Sequence, residues 1–261
     1  MARYRISRQL LAPQIPSFLI GQPRSLAADC ASAFRAIQTT PTVIGGDHIP
    51  TSGAFLVVVN HFHRPEIPAW WTAMAVTHAI AVRRRLPNER PIRWLIADQW
   101  TYPDPVRRFL VAPVMRFVIG RIARVYDFLT IAPAALGDTR SYERASSIRR
   151  VLEAARLAVT EGWPLGLAPE GGDSQDGTMM RPPAGAGRFM LLIAKTDLLF
   201  LPVGVFTEEG VLVTRFGDTF GLTAPPGLPK GEVDDWATAQ VMRRIACLVP
   251  PSLRGVYGDG C

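Results

Sequence analysis

Two histidines, His61 and His63, stand beside Asn60, Arg64 and Glu66 in AFLVVVNHFHRPEIPAWW, the stretch from Ala54 to Trp71. An imidazole with a carboxylate a few residues along the chain is the pattern of a general base and its orienting partner. Four residues separate His61 from Glu66, and Pro65 biases Arg64 away from the helical region. The loop is therefore expected to fold Glu66 back toward the His61 ring. That contact would fix the tautomer and leave the other nitrogen ready to accept a proton from a hydroxyl. His63 lies three residues from Glu66 and is the rival base, its plain alternative being a histidine that lines a groove.

The residues just before this loop say how it would be held. Phe55 to Val59 are apolar and largely β-branched, and Asn60 closes the run. So short an apolar run reads as a strand buried on both faces inside a mainly parallel sheet. In open α/β sheets the reactive groups sit just past the carboxyl ends of the strands, which is where His61 falls.

Read with its flanks, the stretch resembles the first motif of the PlsC-like glycerolipid acyltransferases, Asn-His, four residues, then Asp. Gly46 and Pro50 stand where that family has a Gly-x-x-x-Pro turn, Leu165 to Gly171 resembles its third motif, and Leu201 to Val205 its fourth. Order and spacing agree from about Val43 to Phe206. The resemblance implies an α/β fold with a mostly parallel mixed sheet. It also implies O-acyl transfer from acyl-CoA or acyl carrier protein to the hydroxyl of a lysophospholipid-like or other lipid acceptor. Attack would be direct, with no acyl-enzyme and no bound cofactor. His61 and Glu66 take the catalytic positions, Glu66 standing where the family has Asp.

The third motif carries two further departures. Pro169-Glu170-Gly171-Gly172 resembles the family's Pro-Glu-Gly-Thr, which borders the acceptor site, so Glu170, Gly171 and Gly172 are expected to line it. Asp173 replaces the Arg associated with phosphate, a charge reversal that would repel a phosphate. Arg64, Arg124, Arg181 and Arg188 are the candidates to supply the missing charge, Arg64 and Arg124 foremost. The second motif usually has an Arg near Tyr126 to Leu129, and none stands at the expected place.

Two other classes compete with an acyltransferase. One is a non-catalytic lipid-binding protein on the same fold, suggested by Glu66 and Asp173. The other is a metal-dependent hydrolase using His61 and His63 as an H-x-H pair. The chain has only 4 His, which leaves such a ligand set short.

Composition bounds the rest. The 261 residues can bury a large core, and 48% apolar with 20% charged is ordinary for a globular protein. A net charge of +7 points to an anionic partner such as an acidic carrier, coenzyme A or a membrane face. Nucleic acid is set aside, because the basic residues are scattered and no recognition motif accompanies them. The 3 Cys form no close pair, which suits a reducing compartment and offers no disulfide framework. No apolar run of about 18 residues is present. The expected location is cytoplasmic, peripheral on the cytoplasmic face of a membrane.

Along the chain, residues 1–42 read as a helical N-terminal cap, with a helix near Ser25 to Gln38, the alternative being a membrane-facing element in which arginines interleave with Leu10, Leu11, Phe18, Leu19 and Ile20; residues 43–261 read as one acyltransferase-like α/β domain. Helices are expected over Ala69–Val82, Pro113–Val125, Ser141–Glu161, Arg188–Lys195 and Asp234–Leu248. Strands are expected over Phe55–Asn60, Ile92–Ala97, Leu165–Ala168, Leu198–Phe206 and Val211–Phe216. In the Pro113 helix, Val114, Met115, Val118, Ile119, Ile122 and Val125 form the expected apolar face, with Arg116, Arg121 and Arg124 opposite.

Overall fold

The centre of the sheet is β2, Phe55–Val59, whose five residues are all buried. A strand hidden on both faces needs parallel neighbours carrying crossover helices, and both of its neighbours run parallel to it. They are β5, Leu165–Leu167, and β6, Leu199–Glu208. A computed structural model describes residues 4, 15–85, 92–99, 104–132, 141–172, 174 and 176–258.

Taken in chain order, α1 covers Ile15–Ile20 and α2 Leu26–Ala36, followed by β1, Thr42–Ile44. After β2 come α3, Trp70–Arg84, and β3, Arg93–Ala97. The next helix, α4, spans Pro105–Tyr126 and leads to β4, Leu129–Ile131. Beyond α5, Ser141–Glu161, and β5 lie α6, Ala186–Ala194, and β6. The described elements close with β7, Val211–Phe216, and α7, Val233–Ala246, before two short 3-10 turns.

The seven-stranded sheet has the order β1-β7-β6-β2-β5-β3-β4. β2 to β6 run in one direction, while β7 pairs antiparallel with β6 and β1 parallel with β7. The chain is thus an α/β protein with a mostly parallel mixed sheet flanked by helices. Leu56, Val57 and Val58 of β2, Val203 and Val205 of β6, and Met242 and Ile245 of α7 are each fully buried, so the core straddles β2. Gly166 lets β5 lie under a tryptophan: a Cβ there would sit 2.5 Å from the Trp94 ring. That ring is itself fixed, donating its indole N–H to Thr77 Oγ1 at 3.0 Å.

Residues before β1 are tied to the body by a polar cluster around Asp29 and by Tyr4, whose carbonyl accepts from the Trp71 indole N–H at 3.0 Å and whose hydroxyl oxygen accepts from the Leu212 N–H at 2.7 Å. Ser25 caps α2 by accepting from the Ala28 N–H at 3.2 Å. Asp29 accepts two bonds from Arg24, at 2.8 and 2.6 Å, and one from the Tyr126 hydroxyl at 2.9 Å. Leu26, Cys30 and Phe34 are buried, and burial pushes the Cys30 thiol pKa well up, which keeps it protonated.

Two expectations are corrected. The helix expected to open at Pro113 begins at Pro105, because Asp104 accepts from the Val106 N–H at 3.0 Å and Pro105 occupies the first turn. Pro113 lies inside it on the exposed side. The expected inner face holds in part: Ile119 and Val125 are buried, with Ala123 beside them, and Met115 and Ile122 are half-buried, whereas Val114 and Val118 face out. The cysteines are also not all unpaired: Cys247 is disulfide-bonded, with its partner outside the described residues.

Candidate active site

Parallel strands place the ends of β2, β3, β4 and β5 at one edge of the sheet, and His61 follows β2 there. Asn60 makes the transition from strand to loop. Its side chain is buried, its Nδ2 donates to the Val205 carbonyl at 2.8 Å, and its Oδ1 accepts from the Val205 N–H at 2.7 Å. The amide therefore extends the β2–β6 ladder one step past its last backbone pair, Val59 with Val203. Only a side chain with both a donor and an acceptor can do this.

Three more anchors hold the loop. The His61 backbone N–H donates to Glu170 Oε1 at 2.9 Å, and the Met180 N–H donates to Oε2 at 2.6 Å. Thr72 on α3 donates its hydroxyl to the Phe62 carbonyl at 3.1 Å, and Phe62 is fully buried. Gly177 packs on that ring with a φ of 76°, and a Cβ there would lie 2.9 Å from the Phe62 side chain. His61 is thus fixed through its backbone and its neighbours, while its side chain is half-buried at the strand end. His63 is half-buried as well.

Glu66 is placed differently from expectation. Arg64 and Ile67 exchange both backbone hydrogen bonds, at 3.1 and 2.9 Å, which closes a tight turn with Pro65 and Glu66 at its tip. Glu66 is exposed and forms no hydrogen bond or ion pair among the described residues, so the His61–Glu66 pair is not made here. Pro65, at the second position of the turn, is the physical reason: it fixes a tight turn there and projects the following side chain outward.

Of the residues expected to bind substrate, Arg64 is beside the site. Its guanidinium lies 5.9 Å from the centre of the Phe62 ring, and its Nε is buried without a hydrogen-bond partner. Glu170, expected to line the acceptor site, is 5% exposed, and its oxygens accept from the His61 and Met180 N–H groups. It is the third residue of a turn closed by the Gly171 N–H on the Ala168 carbonyl at 3.2 Å. Gly171 is exposed and Gly172 half-buried at the same strand-end edge.

Arg124 does not reach this edge. α4 returns antiparallel to β3 and β4, so its last turn lies at the opposite end of the sheet, where Arg93 donates to Asp127 at 2.8 Å. Arg181 pairs with Asp235 at 2.8 Å, and Arg188 donates to the Lys230 carbonyl at 2.8 Å. Asp173 lies outside the described residues. Among the described residues no group of three His, Cys, Asp or Glu side chains converges to hold a metal ion.

Sequence reading missed Thr72, Val205 and Gly177 as supports of the loop. Gly177 was the most discoverable of them, as a glycine in a polar segment soon after the third motif.

Fold and site together describe an α/β protein with a histidine held just past the carboxyl end of its central strand. No family model matches the chain, and no curated protein does. Among solved structures it is similar to the crystal structure of the 1-acyl-sn-glycerophosphate acyltransferase PlsC from Thermotoga maritima. That similarity has a TM-score of 0.49 at 15% identity, over 85% of this chain and 78% of that one.

Proposed function

We propose that this chain is an O-acyltransferase of lipid metabolism. The observation that carries the reading is His61, held by its backbone at the end of β2 with its ring at the strand-end edge. Support also comes from the order of the sequence motifs, whose first and third members meet through the His61–Glu170 bond.

In this reaction the imidazole takes the proton of an acceptor hydroxyl as its oxygen attacks the thioester carbonyl. A C–O bond forms, the C–S bond breaks, and the thiolate leaves with the proton returned by His61. The donor is acyl-CoA or acyl carrier protein, and the chain's +7 charge suits either. Arg64, whose Nε has no partner, supplies positive charge to an anionic substrate group.

Glu66 becomes the orienting carboxylate by a side-chain swing from the turn tip when substrate binds. A charge-assisted hydrogen bond gained in the transition state is worth about 1.5–3 kcal/mol, about tenfold to a hundredfold in rate. Glu66→Gln should lower kcat within that range with little change in KM. A kcat equal to wild type would remove Glu66 from the mechanism.

The separation of Glu66 from His61 favours one second reading, a lipid-binding protein without turnover. A product screen by mass spectrometry separates the two. Purified protein is given acyl-CoA and acyl-carrier donors with a panel of lysolipids, glycolipids and amino-lipids. A new ester that requires both donor and acceptor is expected; no ester from any pair supports binding alone.

A further inference from the structure

On α4 the residues Val106, Phe109, Leu110, Val114 and Phe117 recur at helical spacing and share one face. All five are exposed, Phe109 by 81% and Phe117 by 61%. A continuous apolar ridge of this kind on a water-soluble surface marks a contact with something else. The charged residues within α4 are of one sign: its sequence has Arg107, Arg108, Arg116, Arg121 and Arg124 and no acidic residue. Arg121 lies over the Phe117 ring at 5.1 Å. A cleft of about 440 Å³ opens between α4 and α5, lined by Arg116, Gly120 and Arg150 together with Asp98 and Glu143. Asp98 and Glu143 sit near Arg116 at 4.0 and 3.8 Å, while Arg150 makes no ion pair among the described residues. α1, which packs against the last turns of α4 through Phe18 on Tyr126, carries exposed Leu19 and Ile20.

We infer that the α4 ridge is the surface by which this protein docks on an anionic lipid bilayer, its phenylalanines entering the acyl boundary and its arginines meeting lipid phosphates. A convex helix with apolar residues at its crest and cations along its flanks and end is built for an interface of that kind. A second copy fits poorly, because a two-fold contact through this face would set arginines against arginines. The choice of lipid over an acidic protein rests on the proposed acyltransferase reading. α4 follows β3 in the chain and ends beside the start of β3, so its first turns lie toward the edge of the sheet that carries His61, and docking there brings the site toward its lipid acceptor.

Flotation of the purified chain with phosphatidylcholine vesicles, with and without phosphatidylglycerol, tests the assignment. Wild type should bind the phosphatidylglycerol vesicles at low salt. The double variant Phe109→Glu, Phe117→Glu should bind about tenfold more weakly or less, with an unchanged melting temperature, since both side chains are exposed. Arg121→Glu with Arg124→Glu should abolish the preference for phosphatidylglycerol. No binding by wild type, or equal binding by the phenylalanine variant, overturns the proposal. So does a wild-type dimer that this variant splits without weakening vesicle binding. Acyl transfer between dissolved short-chain substrates keeps the two readings apart. It should survive in the phenylalanine variant; its absence from wild type as well, with the vesicle results as expected, would sink the enzymatic reading and leave the docking surface standing.

Discussion

His61→Ala should lower acyl transfer by about a hundredfold to ten-thousandfold, the usual worth of a positioned general base. The fold should survive, because it is the His61 backbone N–H that bonds Glu170, and alanine keeps that donor. Melting temperature and donor binding are therefore expected to stay near wild type while turnover collapses. His63→Ala should cost less than about tenfold, since the motif places the base one step past Asn60. Steady-state rates of the two variants decide between the imidazoles. The reverse pattern would move the base to His63, and full activity of the doubly substituted protein would remove a histidine base altogether.

Glu170→Gln should produce the largest loss of stability among substitutions near the site, about 3 kcal/mol. Both carboxylate oxygens accept from backbone N–H groups of different segments, His61 and Met180, inside the protein. An amide keeps one acceptor but turns its NH2 toward the other donor. One charge-assisted bond is lost and one N–H is left unsatisfied, and the two penalties add. The His61 loop then loses its tether to the turn after β5, so kcat should fall along with the denaturation midpoint. Urea denaturation with parallel kinetics checks this. A variant as stable as wild type, with only KM raised, would return Glu170 to the role of a substrate contact.

The strand that carries the site was legible because five apolar residues in a row, closed by a polar one, have few other solutions in a globular chain. The β6–β7 hairpin was legible for a local reason. Glu209 and Gly210 adopt φ of 50° and 75°, the conformation of a two-residue turn that glycine favours. What escaped depends on distance or on a pattern too short or too uniform to read. Glu170 meets the His61 N–H across 109 residues, and nothing local specifies which donor a buried glutamate will choose. β1 and β4 have three residues each, too few for a period to register. On α4 apolar residues run around most of the helix, so periodicity alone does not say that Val114 and Val118 face out while Ile119 and Val125 are buried. The position of Glu66 was readable: Arg64-Pro65-Glu66-Ile67 is a turn sequence with proline second, which sends Glu66 outward.

The most direct measurement is a crystal structure of the protein with a non-transferable thioether analogue of acyl-CoA and a lipid acceptor. The account predicts the acceptor hydroxyl about 3 Å from one ring nitrogen of His61, facing the thioether, with Glu66 brought to the other nitrogen. An acceptor hydroxyl bound against some other group, with His61 making no contact to it, would contradict the account.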